Sequence, residues 1–558
     1  MGVYVEPSPD DLDIATERDV RPEGRTALGL VITTARVRAI RTIGSGDRIQ
    51  DDWRIDNRIH DRIRTGSPIQ PTGAYGLEGT DLANKKVLDD YLFRVNRHPG
   101  RRVDAALAPS ESGDGISLDY LVHEAKAWYA YAQVSNTGTD STGEWQQRFG
   151  FVHNQLTDRD DVFTLEYFRS GLNDLNGVSF SYEAPWFGAQ RPWWWSRPAD
   201  GPSWLAWWDR SQWPWFGSDF LRWRVWGHYL DYEADLELGD VGDEIVDGTD
   251  WDLGGRLIYN LFQWHSFFLD VFGGADLRGV VVDNDASIRE ARHLFLLPHA
   301  GIHLERTTPT SNLLGEIIFE AQVLGTDSQS VDDGNDIAGG LEALGRADPD
   351  DEWYVLHGDI GFTQYLEPIL NPSGWEDPST QATSTLAHEV ALGVRGQYAF
   401  GHRLIPQAER VVGGLYSVRG YRQSAAVGDD LLTGTFEYRF HLPHSLPIQR
   451  EPLQVPLLGG FRVSPQQVYG RPDWDFILRA FVDAGVIRSN DRPDRASNGN
   501  RLEPGEFLLG AGAGAELRIR NNFRARVDWG MALQDTQSTV NRVDAGDHEF
   551  HLLFSILY

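Results

Sequence analysis

The chain contains no cysteine, which excludes disulfide frameworks and thiolate metal sites and leaves the redox compartment open. It also lacks any apolar run approaching the roughly 18 to 20 residues that a spanning helix needs. Helical membrane insertion is excluded on that ground. Basic residues are the minority, 51 Lys and Arg against 82 Asp and Glu, for a formal net charge of -31. Nucleic acid is therefore a poor partner, because phosphate charge requires a basic stripe to offset it. The opening residues, MGVYVEPSPDDLDIATERD, show no positive segment followed by an apolar one, so no export signal is read there.

Aromatic residues and glycine are abundant: 12% of the 558 residues are Phe, Trp or Tyr, with 20 Trp and 58 Gly. Mean hydropathy is nevertheless only -0.40. A transmembrane barrel reconciles these values, because its strands alternate lipid-facing apolar residues with interior polar ones.

Residues 1–125 differ from the rest. VYV (3–5) and LGLVI (28–32) read as strands, and ARVRAIRTI (35–43) as another. Helical spacing predicts helices over 52–64 and 84–97, the second placing Val87, Leu88, Tyr91, Leu92 and Val95 on one face before Pro99-Gly100 stops it. RRVDAALA (101–108) and GISLDYLVHE (115–124) then read as a hairpin. The order over 35–125 is strand, helix, helix, strand, strand.

From 126 onward only period-two segments remain, separated by Gly, Asp, Asn and Pro. About sixteen strands begin near 126, 143, 161, 175, 220, 251, 264, 290, 311, 352, 383, 432, 473, 506, 522 and 547, an even number as single-chain outer-membrane barrels have. The fold class is thus an all-β transmembrane barrel with an N-terminal α+β part. In FRARVDWGMAL (523–533) one face is apolar, while Arg524, Arg526, Asp528 and Gly530 face the other way. EFHLLFSILY (549–558) aligns Phe550, Leu552, Phe554, Ile556 and Tyr558 in one row that ends on an aromatic. A soluble sandwich with the apolar row inside is the alternative.

One stretch breaks the pattern: VVGGLYSVRGY at 411–421 sets Val418, Arg419, Gly420 and Tyr421 among glycines. On the strands that follow, alternation turns Glu437 inward, then Arg479, Phe481, Asp483 and Gly485. A guanidinium can fork to a carboxylate and stack on a ring, so the loop is expected to fold back into the barrel and dock Arg419 there. Gly510, Gly512 and Gly514 also face inward, where missing side chains let another backbone approach. Curvature relief at those glycines, with Arg419 solvated, is the competing reading.

SVRGY (417–421), FVDAG (481–485) and the aromatic C-terminus together resemble the Omp85 superfamily, and within it the two-partner secretion transporters of the haemolysin-activator or filamentous-haemagglutinin exporter type. The strand-helix-helix-strand-strand unit resembles a POTRA module. NRHPGRRVD (96–104) and SNTGTDSTGEW (135–145) resemble that family's passage into the first barrel strand.

The resemblance implies a 16-stranded outer-membrane barrel with POTRA in the periplasm, binding a large secreted partner protein through POTRA and exporting it in extended form through the lumen. It places 401–431 as the sixth extracellular loop, its Arg419 meeting Asp483 of the thirteenth strand. It divides the chain into 1–33, the remnant of a first POTRA module with a truncated start, 34–125, a complete module, and 126–558, the barrel. Further partners implied are the lipid bilayer and the barrel-assembly machinery, which would read Phe554, Ile556 and Tyr558 as an assembly signal; the state is a monomer. An assembly insertase of the same superfamily and a passive channel or surface-binding barrel stay open.

Other motifs carry no chemistry. His388-Glu389 lacks the second His of a zincin helix. Asp332, Asp333 and Asp336 lack the terminal Glu of a calcium loop. GAGAGA lies in an alternating strand. No catalytic residue, metal ligand or cofactor is expected, and the chain is not read as an enzyme. Parity puts the Trp-rich stretch 184–217 on the periplasmic side, where Trp would form an interfacial apron, stacking on carbohydrate or peptide being the rival. The turn 444–472 would share that side, and the acidic loop 326–351 would lie outside.

Overall fold

The computed structural model describes the chain apart from residues 1–2, 8–10, 14–17, 23, 25, 35, 72–80, 110–114, 140, 172–173, 187–219, 238–242, 285–288, 323–328, 333–334, 338–340, 377–385, 457–458, 491–504 and 538–541. Near the start, Val3–Pro7 pairs antiparallel with Leu30–Thr34. A three-stranded sheet follows, with Ile116–Glu124 at its centre, Val37–Ser45 parallel on one side and Arg101–Pro109 antiparallel on the other. The parallel pair needs a crossover, and residues 46–100 supply one.

The main crossover helix, Lys85–Val95, starts where the Asn84 side chain accepts from the backbone N–H of Lys86 and Val87. Its buried face presents Tyr91 to Val103, Leu118, Tyr120 and Val122 of the sheet, with Leu88, Leu92 and Val95 packed at the edge. The Tyr91 hydroxyl donates to the Ile63 carbonyl at 2.7 Å, joining the helix to the segment before it.

That earlier segment departs from the helix expected over 52–64. Asp51–Trp53 and Arg58–His60 are single 3-10 turns, and only Asp61–Thr65 is α-helical. Between them Ile55 bridges to Ile43. Backbone bonds from Gly44 to the Arg54 carbonyl (2.7 Å) and from Asp56 to the Thr42 carbonyl (2.8 Å) hold the segment extended beside the strand. Pairing with the sheet outweighs the local helical period, since a short isolated helix is marginal in water.

The barrel strands are β1 (Trp128–Ser135), β2 (Gln146–His153), β3 (Val162–Ser170), β4 (Leu175–Pro185), β5 (Leu221–Glu237), β6 (Asp243–Trp264), β7 (Phe267–Asn284) and β8 (Arg289–Thr307). The second half comprises β9 (Ser311–Gln322), β10 (Trp353–Tyr365), β11 (His388–Tyr398), β12 (Asp430–His441), β13 (Trp474–Arg488), β14 (Glu506–Ile519), β15 (Phe523–Ala532) and β16 (His548–Leu557). Sixteen antiparallel strands close on themselves through β16 and β1. A short hairpin, Gln329–Asp332 with Asn335–Ile337, extends β8.

The barrel is uneven in height. β5 to β8 run 17 to 22 residues, whereas β1 to β3 run 8 or 9. β6 begins at Asp243 rather than near 251, because its acidic first turns pair with β5 without showing an apolar alternation. β11 begins at His388 rather than near 383.

Charge and hydropathy are distributed inside out. Leu478, Val482, Phe550, Phe554 and Ile556 are exposed on the outer wall, while Glu437, Asp483, Glu516 and Asp528 are buried within. That distribution is the lipid-facing pattern and excludes the soluble alternative. Among the described residues no helix is long and apolar enough to cross a membrane. The Trp-rich stretch lies almost wholly outside the described residues, as does Asp333.

Candidate functional site in the lumen

Residues 399–429 connect β11 to β12 on the rim opposite the α/β module. Arg410–Val412 pairs antiparallel with Ala426–Gly428 as a stalk, and the tip between them turns down into the barrel. Ser417 closes the tip, its Oγ accepting from the Gly413 N–H at 2.8 Å and donating to the Gly413 carbonyl at 2.9 Å. Gly420 takes φ of +99°, and a Cβ there would stand 2.6 Å from the Met531 carbonyl carbon. Only glycine meets both demands.

The flanking side chains anchor the tip. Val418 and Tyr421 are fully buried with Val412, Ala425, Leu431, Ile487, Leu508 and Ala532. The Tyr421 hydroxyl donates to the Gln534 carbonyl at 2.8 Å and accepts from the Leu509 N–H at 3.2 Å, tying the loop to β14 and to the end of β15.

Arg419 lies at the centre with 3% of its side chain exposed. Its Nε and Nη2 fork onto Asp483 Oδ2 and Oδ1 at 2.7 and 2.9 Å, and its backbone N–H adds a bond to Oδ2 at 3.1 Å. Nη1 donates to Glu437 Oε2 at 2.7 Å and to Asp528 Oδ2 at 3.0 Å. The guanidinium carbon sits 3.4 Å from the centroid of the Phe481 ring. One cation thus joins carboxylates from β12, β13 and β15.

The register explains how. Asp483 pairs with Gly510 and Phe481 with Gly512 across β13 and β14; Gly512 and Gly514 then pair with Gly530 and Asp528 across β14 and β15. The glycines leave a trough between two carboxylate-bearing strands, and a Cβ at Gly510 would collide with the Arg419 carbonyl oxygen. Gly485 serves the same purpose nearer the loop's rim, where a Cβ would stand 3.0 Å from methyl groups of Val412 and Val418.

The structure therefore brings Arg419 together with Asp483, Glu437 and Phe481, and sets Gly485 against Val418 of the same loop. Sequence reasoning missed Asp528 as a partner, although the alternation of FRARVDWGMAL already turned it inward; what was lacking was the register that sets it beside the glycine trough. It also missed the neighbouring arginines: Arg439 meets Glu437 at 2.6 Å, and Arg526 pairs with Asp528. Phe554, Ile556 and Tyr558 lie elsewhere, exposed on the outer wall beside β1. Lys126 rests over the Tyr558 and Trp128 rings at 4.2 and 3.8 Å.

A second arginine cluster joins the module to the barrel. Arg101 and Arg62 meet Asp160 of the β2–β3 turn at 2.6 and 3.1 Å. Arg97 meets Asp270 and Glu305 of β7 and β8 at 2.6 and 2.9 Å. Burial alone would raise the Asp160 carboxyl, but Arg101 and Arg62 hold it far below the usual carboxylate range.

Comparison with solved structures gives the architecture a precedent. CdiB from Escherichia coli aligns with TM-score 0.60 over 100% of this chain and 80% of its own, at 13% identity. CdiB from Acinetobacter baumannii aligns with TM-score 0.55 over 100% and 78%, at 15% identity. The chain shares the fold of these CdiB structures. At these identities the CdiB likeness is one of backbone architecture. No family model and no curated relative matches the sequence.

Proposed function

We propose that the chain is an outer-membrane translocator that captures a partner exoprotein at its α/β module and passes it in extended form through the lumen. In this reading the module is a POTRA domain in the periplasm. Its sheet ends on Arg101–Pro109. Asn96 covers that edge at Val103 through bonds of 2.7 and 2.9 Å, and the remainder would accept an added strand, main-chain bonds giving affinity and side-chain pockets choice.

The observation that carries the reading is the docked loop. A tip fastened by one cation among three carboxylates occupies the space a passing chain would need. Because its partners are polar and line a lumen, water can solvate them when the tip leaves. The Arg419 cluster would then be a latch.

Secretion of a candidate partner protein tests this, with Arg419→Ala and Asp483→Ala in parallel and barrel level as control. Secretion lost while the folded barrel persists is the expected outcome. Secretion unaffected would reduce the cluster to a strut. A wild-type barrel that releases nothing would overturn export and leave the insertase or passive-channel reading.

A further inference from the structure

At the module-side end of the lumen, away from Arg419, three chain segments converge. β12 ends on His441, the following 3-10 turn Leu442–Ser445 carries His444, and β13 brings in Asp475 near its start. One nitrogen of each imidazole and one carboxylate oxygen lie within 4.8 Å of one another. The turn follows the strand end directly and brings the two rings to the same side, with centroids 5.5 Å apart.

The two histidines are held differently. His441 Nδ1 lies 2.8 Å from Asp475 Oδ2 and its Nε2 lies 3.4 Å from Glu389 Oε2. Glu389 is itself paired with Arg439 at 3.1 Å. His444 is only 7% exposed, yet its Nδ1 has no hydrogen-bond partner among the described residues, and neither has Asp475 Oδ1. Buried polar atoms are nearly always paired, so such groups need an explanation.

We propose that His441, His444 and Asp475 bind a divalent transition-metal ion, zinc being the best match to two imidazoles and a carboxylate. Glu389 orients His441 from behind, as carboxylates do for metal-bound imidazoles. Tetrahedral bonds of about 2.0 to 2.2 Å separate ligand atoms by roughly 3.4 Å, so binding would part the 2.8 Å His441–Asp475 contact slightly and turn the His444 ring toward that pair. The ion would clip the long β12–β13 connection to the wall at the mouth of the lumen. This inference does not depend on the export reading.

The test uses the full chain folded in detergent micelles, with any affinity tag removed so that no added histidine competes. Cobalt is titrated by its visible absorption, and zinc content is measured after dialysis. The expected result is one equivalent of metal with a four-coordinate cobalt spectrum. It is lost in His444→Ala, retained in His402→Ala, and weakened roughly tenfold to a hundredfold in Glu389→Gln. Gel mobility checks that each variant is folded, and Asp475→Asn replaces His444→Ala if that one is not. No stoichiometric uptake by the wild-type chain, or equal uptake by a folded His444→Ala or Asp475→Asn variant, would overturn the proposal.

Discussion

Arg419 in the lumen and Arg101 at the module joint each leave 3% of the side chain exposed, yet they sit in different surroundings. Arg419 meets Asp483 and Asp528, both 0% exposed, and Glu437 at 3%. Arg101 meets one carboxylate, Asp160, which is 16% exposed and shared with Arg62. In the first cluster Glu437 and Asp528 have Arg439 and Arg526 as second partners, but among the described residues Asp483 is paired by Arg419 alone, so that cation's removal strands a fully buried charge. The second gathers two cations around one anion close to water, so the loss of either cation leaves the anion still paired. Equal burial of the arginine therefore does not imply equal cost of losing it; the partners decide.

The sharpest way to break this comparison is Arg419→Ala, expected to cost about 3 to 5 kcal/mol of barrel stability, since it leaves buried charge uncompensated. Urea unfolding in micelles, followed by Trp fluorescence, checks it. Arg419→Ala combined with Asp483→Ala should cost less than the sum of the singles.

Acid sharpens the joint instead. His98, 5% exposed beside that cluster, is pushed down to about 4 by burial, with Arg101 and Arg222 adding to the effect against Asp160 and Glu124. An unfolded histidine titrates near 6.5. The unfolded chain therefore binds the extra proton first as pH falls, and stability present above about 6.5 declines toward 4 by on the order of 3 kcal/mol. Unfolding curves at about pH 7 and about pH 4 should show this contribution, and the loss on acidification should be smaller by that amount in His98→Gln.

A smaller effect follows at the other joint contact. Arg97→Met keeps the packing over Phe268 but loses the bonds to Asp270 and Glu305. The expected loss is about 1 to 2 kcal/mol, with faster hydrogen exchange in Lys85–Val95. Smallest is Lys85→Ala, which removes an exposed pair with Asp89 and should change stability by about 0.5 kcal/mol or less.

The same contrast governs what the sequence made legible. The Arg419 partners stand on strands, where strict alternation turns Glu437, Asp483 and Asp528 inward whatever the exact register. The Arg101 partner, Asp160, stands on a turn in which Asp158 and Asp160 adopt φ of 59° and 58°, and no period predicts where such a carboxylate points. Strand starts were readable because lipid and lumen impose opposite demands on neighbouring residues. That demand ends where β5 and β6 continue through acidic residues, and there the boundary was misplaced. Most of the helix expected over 52–64 failed for a related reason: Ile55 serves a sheet edge while Ile63 sits on the one helical turn that forms, and spacing alone does not distinguish the two uses.

The account rests on the loop tip being docked and having to move. The chain has no native cysteine, so Val418→Cys with Gly485→Cys forms a clean pair; a Cβ at Gly485 would lie 3.0 Å from a Val418 methyl. Secretion of the partner protein is measured with this pair oxidised and then reduced. The account predicts that the crosslink forms, that secretion stops, and that reductant restores it. A crosslink that forms while secretion continues, or one that never forms, would contradict it.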